Sequence, residues 1–339
     1  MTRFIREALR WKFVFYELLL PALRRLGPSG YDACLCALGR AWVMIMPARK
    51  ARLVRALRHA QEVLDLDGPI EAQWPALAAN SARFLARDYA LDIESDAAVL
   101  GRFRVHGEEH LRSALSLGRG AILVGSHMGA HLAGLHWLFR SDLPVRALIQ
   151  RPRHVSRELA GRFDAARGPH SQADVFLRRD LPASARVERL IRARAALLDN
   201  LAIYLSGDIP WSGPNTQPGC LLGQPHRFLS IWTELAVLTR APVFHVFCTH
   251  LPEGQFALEF EAVGQVRPGE EGDAVADYLK ALEARIATFP TQAVAHLLWP
   301  CFNPMTDGCA DPSESRVDLR LPARASHRNP VPTIRANDA

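Results

Sequence analysis

Between residues 101 and 264, short runs of β-formers alternate with amphipathic stretches, and that alternation constrains the fold more than any other feature. Strands are expected at "FRVHG" (103–107), "AILVGS" (121–126), "VRALIQ" (145–150), "LAIYLSG" (201–207), "APVFHVFCTH" (241–250) and "FALEFEAVG" (256–264). Helices fit 109–118, 129–139, 154–168, 183–198, 229–240 and 272–289. Strand–helix alternation argues for an α/β class with a mixed central sheet flanked by helices. Residues 1–98 read as a helical N-terminal region, with one helix expected after Pro75. Residues 99–302 carry the α/β pattern. Residues 303–339 hold five prolines and little apolar periodicity, and read as a disordered tail.

The chain carries 41 basic and 35 acidic residues, a net charge of +6. So mild an excess permits an anionic partner without selecting one. Six cysteines at irregular spacing, with no C-x-x-C, read as reduced thiols in a cytoplasmic setting. The apolar run Phe13–Leu23 is too short to span a bilayer, which needs about twenty residues. Arg3, Arg6, Arg10, Lys12, Arg24 and Arg25 flank it. An amphipathic helix on a membrane surface and an ordinary docking helix both fit that pattern.

The chemistry concentrates in "AILVGSHMGAHLAGLHWLF", residues 121–139, where a strand gives way to a helix and three histidines follow: His127, His131 and His136. Gly125 to Gly129 has the glycine spacing of a hydrolase elbow, but its middle residue is His127, so that reading fails. No phosphate-binding glycine loop follows any strand. His127-x-x-x-His131 is a usable metal spacing, repeated at His106 and His110, yet Met128 stands where a zinc protease needs Glu. For His131 and His136, packing among apolar neighbours is the competing explanation. The remaining reading is acid–base chemistry. A histidine just past a buried strand lies in the usual ligand crevice of an α/β sheet, and its ordinary pKa suits a base near neutrality.

The segment "GRGAILVGSHMGAHL" resembles the His-x-x-x-x-Asp/Glu motif of glycerolipid-type acyltransferases, and most of all the bacterial lipid A biosynthesis (lauroyl/myristoyl) acyltransferase family. The likeness continues in order through "FRVHGEEHLRSALSLGRG", "ALIQRPRH", "GDIPWSGPNTQPGCLLGQPHRF", "ELAVLTRAPVFHVF" and "YLKALEARIATFPTQAVAHLLWP", covering about residues 100–300. The resemblance implies acyl transfer from an acyl carrier protein or coenzyme A thioester to a hydroxyl or amine of a lipid or related acceptor. His127 would be the general base, with no metal or redox cofactor. It also implies a place at the cytoplasmic face of the inner membrane, peripheral or weakly anchored, and no nucleic acid partner. One departure matters: the family's acid falls at Leu132. Three outcomes stay open. Another acid, best Asp208, serves; or His127 works alone or with His131; or the chain is a non-catalytic relative that binds lipid or a protein. A metal-dependent enzyme using His127 and His131 is a further alternative.

Other residues join the candidate site. Arg151 and Arg153 follow a strand and suit phosphate groups. Asp208 sits in a Gly/Pro-rich loop after a strand, where turn formation competes with a site role. Trp211 and Trp232 could line an acyl groove or simply fill the core. Ser126 and Gly129 flank His127, where backbone N–H groups at a helix start could stabilise an oxyanion.

Overall fold

The computed structural model describes residues 11–92, 94–149, 154–163, 183–211, 213 and 215–302. The expected tail at 303–339, together with Arg151 and Arg153, lies outside the described residues.

The N-terminal region is helical. A π-helical stretch, Val14–Leu19, runs into α1 (Leu20–Arg24), then α2 (Gly27–Met44), α3 (Pro47–Leu64) and α4 (Ile70–Ala86). Pro75 does not open α4 as expected but lies inside it. In the second turn a proline forfeits only one intrahelical bond, and burial of Trp74, Leu77 and Ala78 offsets that loss. After α5 (Asp96–Leu100), the chain enters the alternating pattern: β1 (Phe103–His106), α6 (Glu108–Ser116), β2 (Ala121–Gly125), α7 (His131–Arg140), β3 (Val145–Ala147), α8 (Arg157–Arg162), α9 (Ala183–Leu198), β4 (Ala202–Ser206), β5 (Thr216–Leu221), β6 (Gln224–Leu229), α10 (Ile231–Thr239), β7 (Val243–His250), β8 (Phe256–Gly264), α11 (Glu271–Thr288) and α12 (Val294–Leu298).

Six strands form one mixed sheet in the order β1-β8-β7-β2-β4-β3. Every neighbouring pair is parallel except β7 with β8. All five residues of β2 are buried, as expected for a central parallel strand covered on both faces. β5 and β6 form a separate antiparallel hairpin. It departs from the loop that the Gly/Pro-rich sequence suggests.

The helical region shares the core of the sheet. Leu53, Leu57, Trp74 and Leu77 pack in one cluster with Ile122, Val124, Ile203 and Leu205. Tyr16 and Leu20 are buried with Tyr31 and Leu35, and the Tyr16 hydroxyl donates to the Leu85 carbonyl. The second half of the basic N-terminal segment is therefore docked on the protein. Just past α4, the buried Asp88 carboxylate accepts from His136 Nε2 at 2.8 Å, Ser156 Oγ at 2.5 Å and the Ser156 N–H at 3.2 Å. His136 is thus a buried hydrogen-bonding residue that ties α4 to α7 and α8. Five cysteines within the described residues are free.

Candidate active site

β2 and β4 are parallel neighbours, with Gly125 opposite Ser206. His127 stands two residues beyond Gly125, and Asp208 two residues beyond Ser206. The Gly207 N–H donates to the Gly125 carbonyl at 2.9 Å, carrying the ladder past the strand ends. Two residues 81 apart in sequence are therefore delivered side by side at the carboxyl end of the sheet, where α/β proteins bind ligands. His127 Nδ1 lies 2.9 Å from Asp208 Oδ1, and the His127 backbone N–H donates to Asp208 Oδ2 at 2.6 Å.

Asp208 is fully buried. An unpaired carboxylate there would cost several kcal/mol. Burial alone would raise its pKa. The charge of His127 and hydrogen bonds from His127 and His296 outweigh burial and hold the carboxyl far below its ordinary range. Burial also works against a charged His127, but the adjacent carboxylate dominates and raises its pKa above 6.5, with Arg87 opposing. Both shifts stabilise the fold, with opposite pH dependence. The Asp208 contribution is present above the ordinary carboxylate pKa and is lost as pH falls through the depressed one. The His127 contribution is present below pH 6.5 and fades as pH rises through the raised value.

Because a carboxylate only accepts, Nδ1 of His127 carries the proton and Nε2 is the basic nitrogen. The side chain is 24% exposed, enough to meet a substrate. Its ring lies 5.3 Å from that of His131 and 6.0 Å from that of Trp299. Phe84 of α4 packs on both, at 5.6 Å from His131 and 5.3 Å from Trp299. The N-terminal helices thus supply part of the wall. Just past the end of α4, at its C-cap, Arg87 has a buried Nε with no hydrogen-bond partner. Its charge reaches both His127 and His131.

The geometry favours Asp208 over His131 as the partner of His127. Burial, the charge on His127 and that on Arg87 push the His131 pKa well below 6.5, and its Nδ1 is buried without a partner. A neutral imidazole cannot stabilise a charged one as a carboxylate does. Leu132 is 4% exposed and packs in the apolar cluster with Ala133, Leu135 and Leu138.

The other expected residues take different places. Ser126 Oγ accepts from the Met128 N–H at 3.2 Å. Gly129 has φ +58°, and a Cβ there would collide with the Cys248 carbonyl, so glycine is required. Its N–H donates to the Gln292 carbonyl at 3.0 Å, and that of Ala130 to Cys248 at 2.8 Å. The N–H groups of residues 127–130 are all engaged within the protein. Trp211 packs over Gly213 in its own loop, and Trp232 is buried in the core. His106 and His110 are exposed, and among the described residues no group of three or more His, Cys, Asp or Glu side chains is placed to hold a metal. Arg87, Phe84, His296 and Trp299 were not foreseen. Only "AVAHLLWP", within the resemblance, pointed near the last two.

A family model described as bacterial lipid A biosynthesis acyltransferase matches residues 3–295. The chain belongs to that family. Acyl transfer in lipid A biosynthesis is the activity that membership implies in general terms. No curated protein matches the chain at a significant level. The family's motif acid is absent at Leu132, and the sheet brings Asp208 to the imidazole from a different strand.

Proposed function

We propose that the protein transfers a fatty acyl group from an acyl carrier protein or coenzyme A thioester to a hydroxyl or amine of a lipid acceptor, with His127 as general base. The hydrogen bond between His127 Nδ1 and Asp208 Oδ1 carries this reading. His127 Nε2 takes the proton of the acceptor as its oxygen or nitrogen attacks the thioester carbonyl. Asp208 stabilises the resulting imidazolium, as the acid does in a Ser-His-Asp triad. Collapse of the tetrahedral intermediate breaks the C–S bond, and the proton passes to the departing thiolate. Nothing in these steps calls for a metal or redox cofactor. Arg87, whose charge reaches His127 and His131, is the cation we assign to an anionic oxygen of the substrate.

The alternative, a relative that binds lipid or a protein without turnover, rests on the missing acid at Leu132. The Asp208–His127 hydrogen bond favours turnover instead.

Purified protein given a radiolabelled acyl thioester and a lipid A precursor tests the reading. His127→Ala lowers transfer by about 10²- to 10⁴-fold, the usual loss of a general base. Equal transfer by the variant would refute the assignment. Wild-type kcat/KM should fall as pH drops through a pKa above 6.5, because protonated His127 is no base. An acidic limb centred below 6.5 contradicts the pairing.

The protein acts at a membrane surface on this reading. No helix among the described residues is long and apolar enough to cross a bilayer. Phe13, Val14, Leu18 and Leu26 are exposed near the N-terminus. Leu38 and Trp42 on α2 and Ile45 at its C-cap recur at helical spacing and are exposed as well, with Arg25, Arg40 and Arg49 exposed nearby in sequence. Apolar side chains with interspersed arginines suit an anionic bilayer. The variant Trp42→Glu/Ile45→Glu should sediment less with vesicles containing anionic lipid while melting like the wild type. Unchanged sedimentation would move the contact elsewhere.

A further inference from the structure

A carboxylate that orients a base must itself be oriented. The torsion about the Cβ–Cγ bond of an aspartate is broad, so one hydrogen bond does not fix the plane of its oxygens. In this site Oδ1 is held by His127 Nδ1. Oδ2 receives the His127 N–H and, from the opposite side of the chain, His296 Nε2 at 2.8 Å.

His296 is fully buried on α12. Its ring lies 4.8 Å from that of Phe302, and its Nδ1 is buried without a partner. The bond to Asp208 is therefore its one strong polar contact. A residue serving only to fill this apolar space would need no ring nitrogen, and burying one without reward is unfavourable. Since the carboxylate only accepts, Nε2 carries the proton.

The segment bearing His296 is anchored to the His127 loop. Gln292 exchanges side-chain hydrogen bonds with the His250 backbone, at 2.8 and 2.9 Å, and its carbonyl accepts the Gly129 N–H. Asn80 of α4 donates to the Thr291 carbonyl at 3.0 Å. His296 is thus presented to Asp208 by the same segment that fixes the backbone after His127.

We propose that His296 is a positioning residue for the acyl-transfer base: it pins the second oxygen of Asp208 and so sets the angle and strength of the Asp208–His127 bond. The proposal rests on the reading of His127 as that base. It explains how the chain dispenses with the motif acid on α7. The acid has moved to the β4 loop, and a second imidazole fixes it there.

Removing His296 should concentrate the carboxylate charge on His127. The other groups that face the pair are His131 on α7, Arg87 after α4, and the hydroxyls of Tyr204 on β4 and Tyr278 on α11, the latter donating to the Gly125 carbonyl at 2.7 Å. All of these remain in a His296 variant, so a change can be assigned to the lost donor.

The test is an NMR titration of the histidine side chains in the full-length, ligand-free protein, with the His127 signal assigned through its absence in His127→Gln. In His296→Leu the His127 pKa should move up. In His296→Gln, whose amide nitrogen can reach Asp208, it should stay near the wild-type value. Acyl transfer should fall about 10- to 100-fold in His296→Leu, the range seen when groups that orient a metal-ligating histidine are removed, and recover in His296→Gln. If His296→Leu does not fold, His296→Asn, whose amide stops short of Asp208, takes its place. A folded variant whose His127 titration is unmoved overturns the proposal. So does an equal loss of activity in His296→Gln and His296→Leu. The titration needs no substrate. A shifted pKa in a protein whose wild type transfers no acyl group would support the His296 role while refuting the acyltransferase reading.

Discussion

Asp208→Asn should lower acyl transfer by about 10⁴-fold, the loss known for the equivalent change in a Ser-His-Asp triad. The reason is tautomeric. An amide has one acceptor and one donor where the carboxylate has two acceptors. Two donors, the His127 N–H and His296 Nε2, converge on the Oδ2 position, so the amide oxygen settles there. The NH₂ then faces His127 Nδ1, which must become the acceptor. The proton moves to Nε2, and the nitrogen that should take a proton already holds one. The variant keeps the shape of Asp208 and should keep a native circular dichroism spectrum. The raised His127 pKa should disappear with the charge. Activity within tenfold of wild type would show that another group orients the base.

Leu132→Glu should destabilise the protein by several kcal/mol, and activity should fall with the folded fraction. Restoring the family's acid at its motif position sounds like a repair, but Leu132 packs with Leu135, Leu138, Val246 and Leu258. A carboxylate there would be buried among apolar side chains, and Asp208 already meets His127. Denaturant midpoints measure the effect. A stable variant with raised turnover would mean that Leu132 reaches the crevice and that Asp208 is not the working partner.

The sheet was legible in the sequence because its strands are runs of Val, Ile, Leu and Phe bounded by Gly, Asn or Pro. All six expected strands occur within a few residues of their predicted limits. The β5–β6 hairpin was not legible. Pro218 and Pro225 argue against strands, and its turn places Leu222 at φ +51°, where Asn or Gly is the usual signal. Antiparallel pairing, together with the Phe228 side chain buried in the core, overrides those preferences.

Asp208 could be suspected as a residue after a strand, but its partner could not be fixed, since that depends on β4 pairing directly with β2. His296 lay beyond reach. A histidine in an apolar helix reads as core, and only the sheet order shows what its Nε2 meets. Nor does sequence spacing alone bring Phe84 and Arg87, from the helical region, to a crevice built by the sheet.

The central claim is that His127 and Asp208 act as one unit. Single-turnover acyl transfer from an acyl carrier protein thioester to a lipid A precursor, measured for His127→Ala, Asp208→Asn and the double variant, addresses it directly. Groups that work as a unit are strongly non-additive. The account predicts that the double variant is no slower than His127→Ala alone. Losses that multiply in the double variant would show that the two residues act independently, and would contradict it.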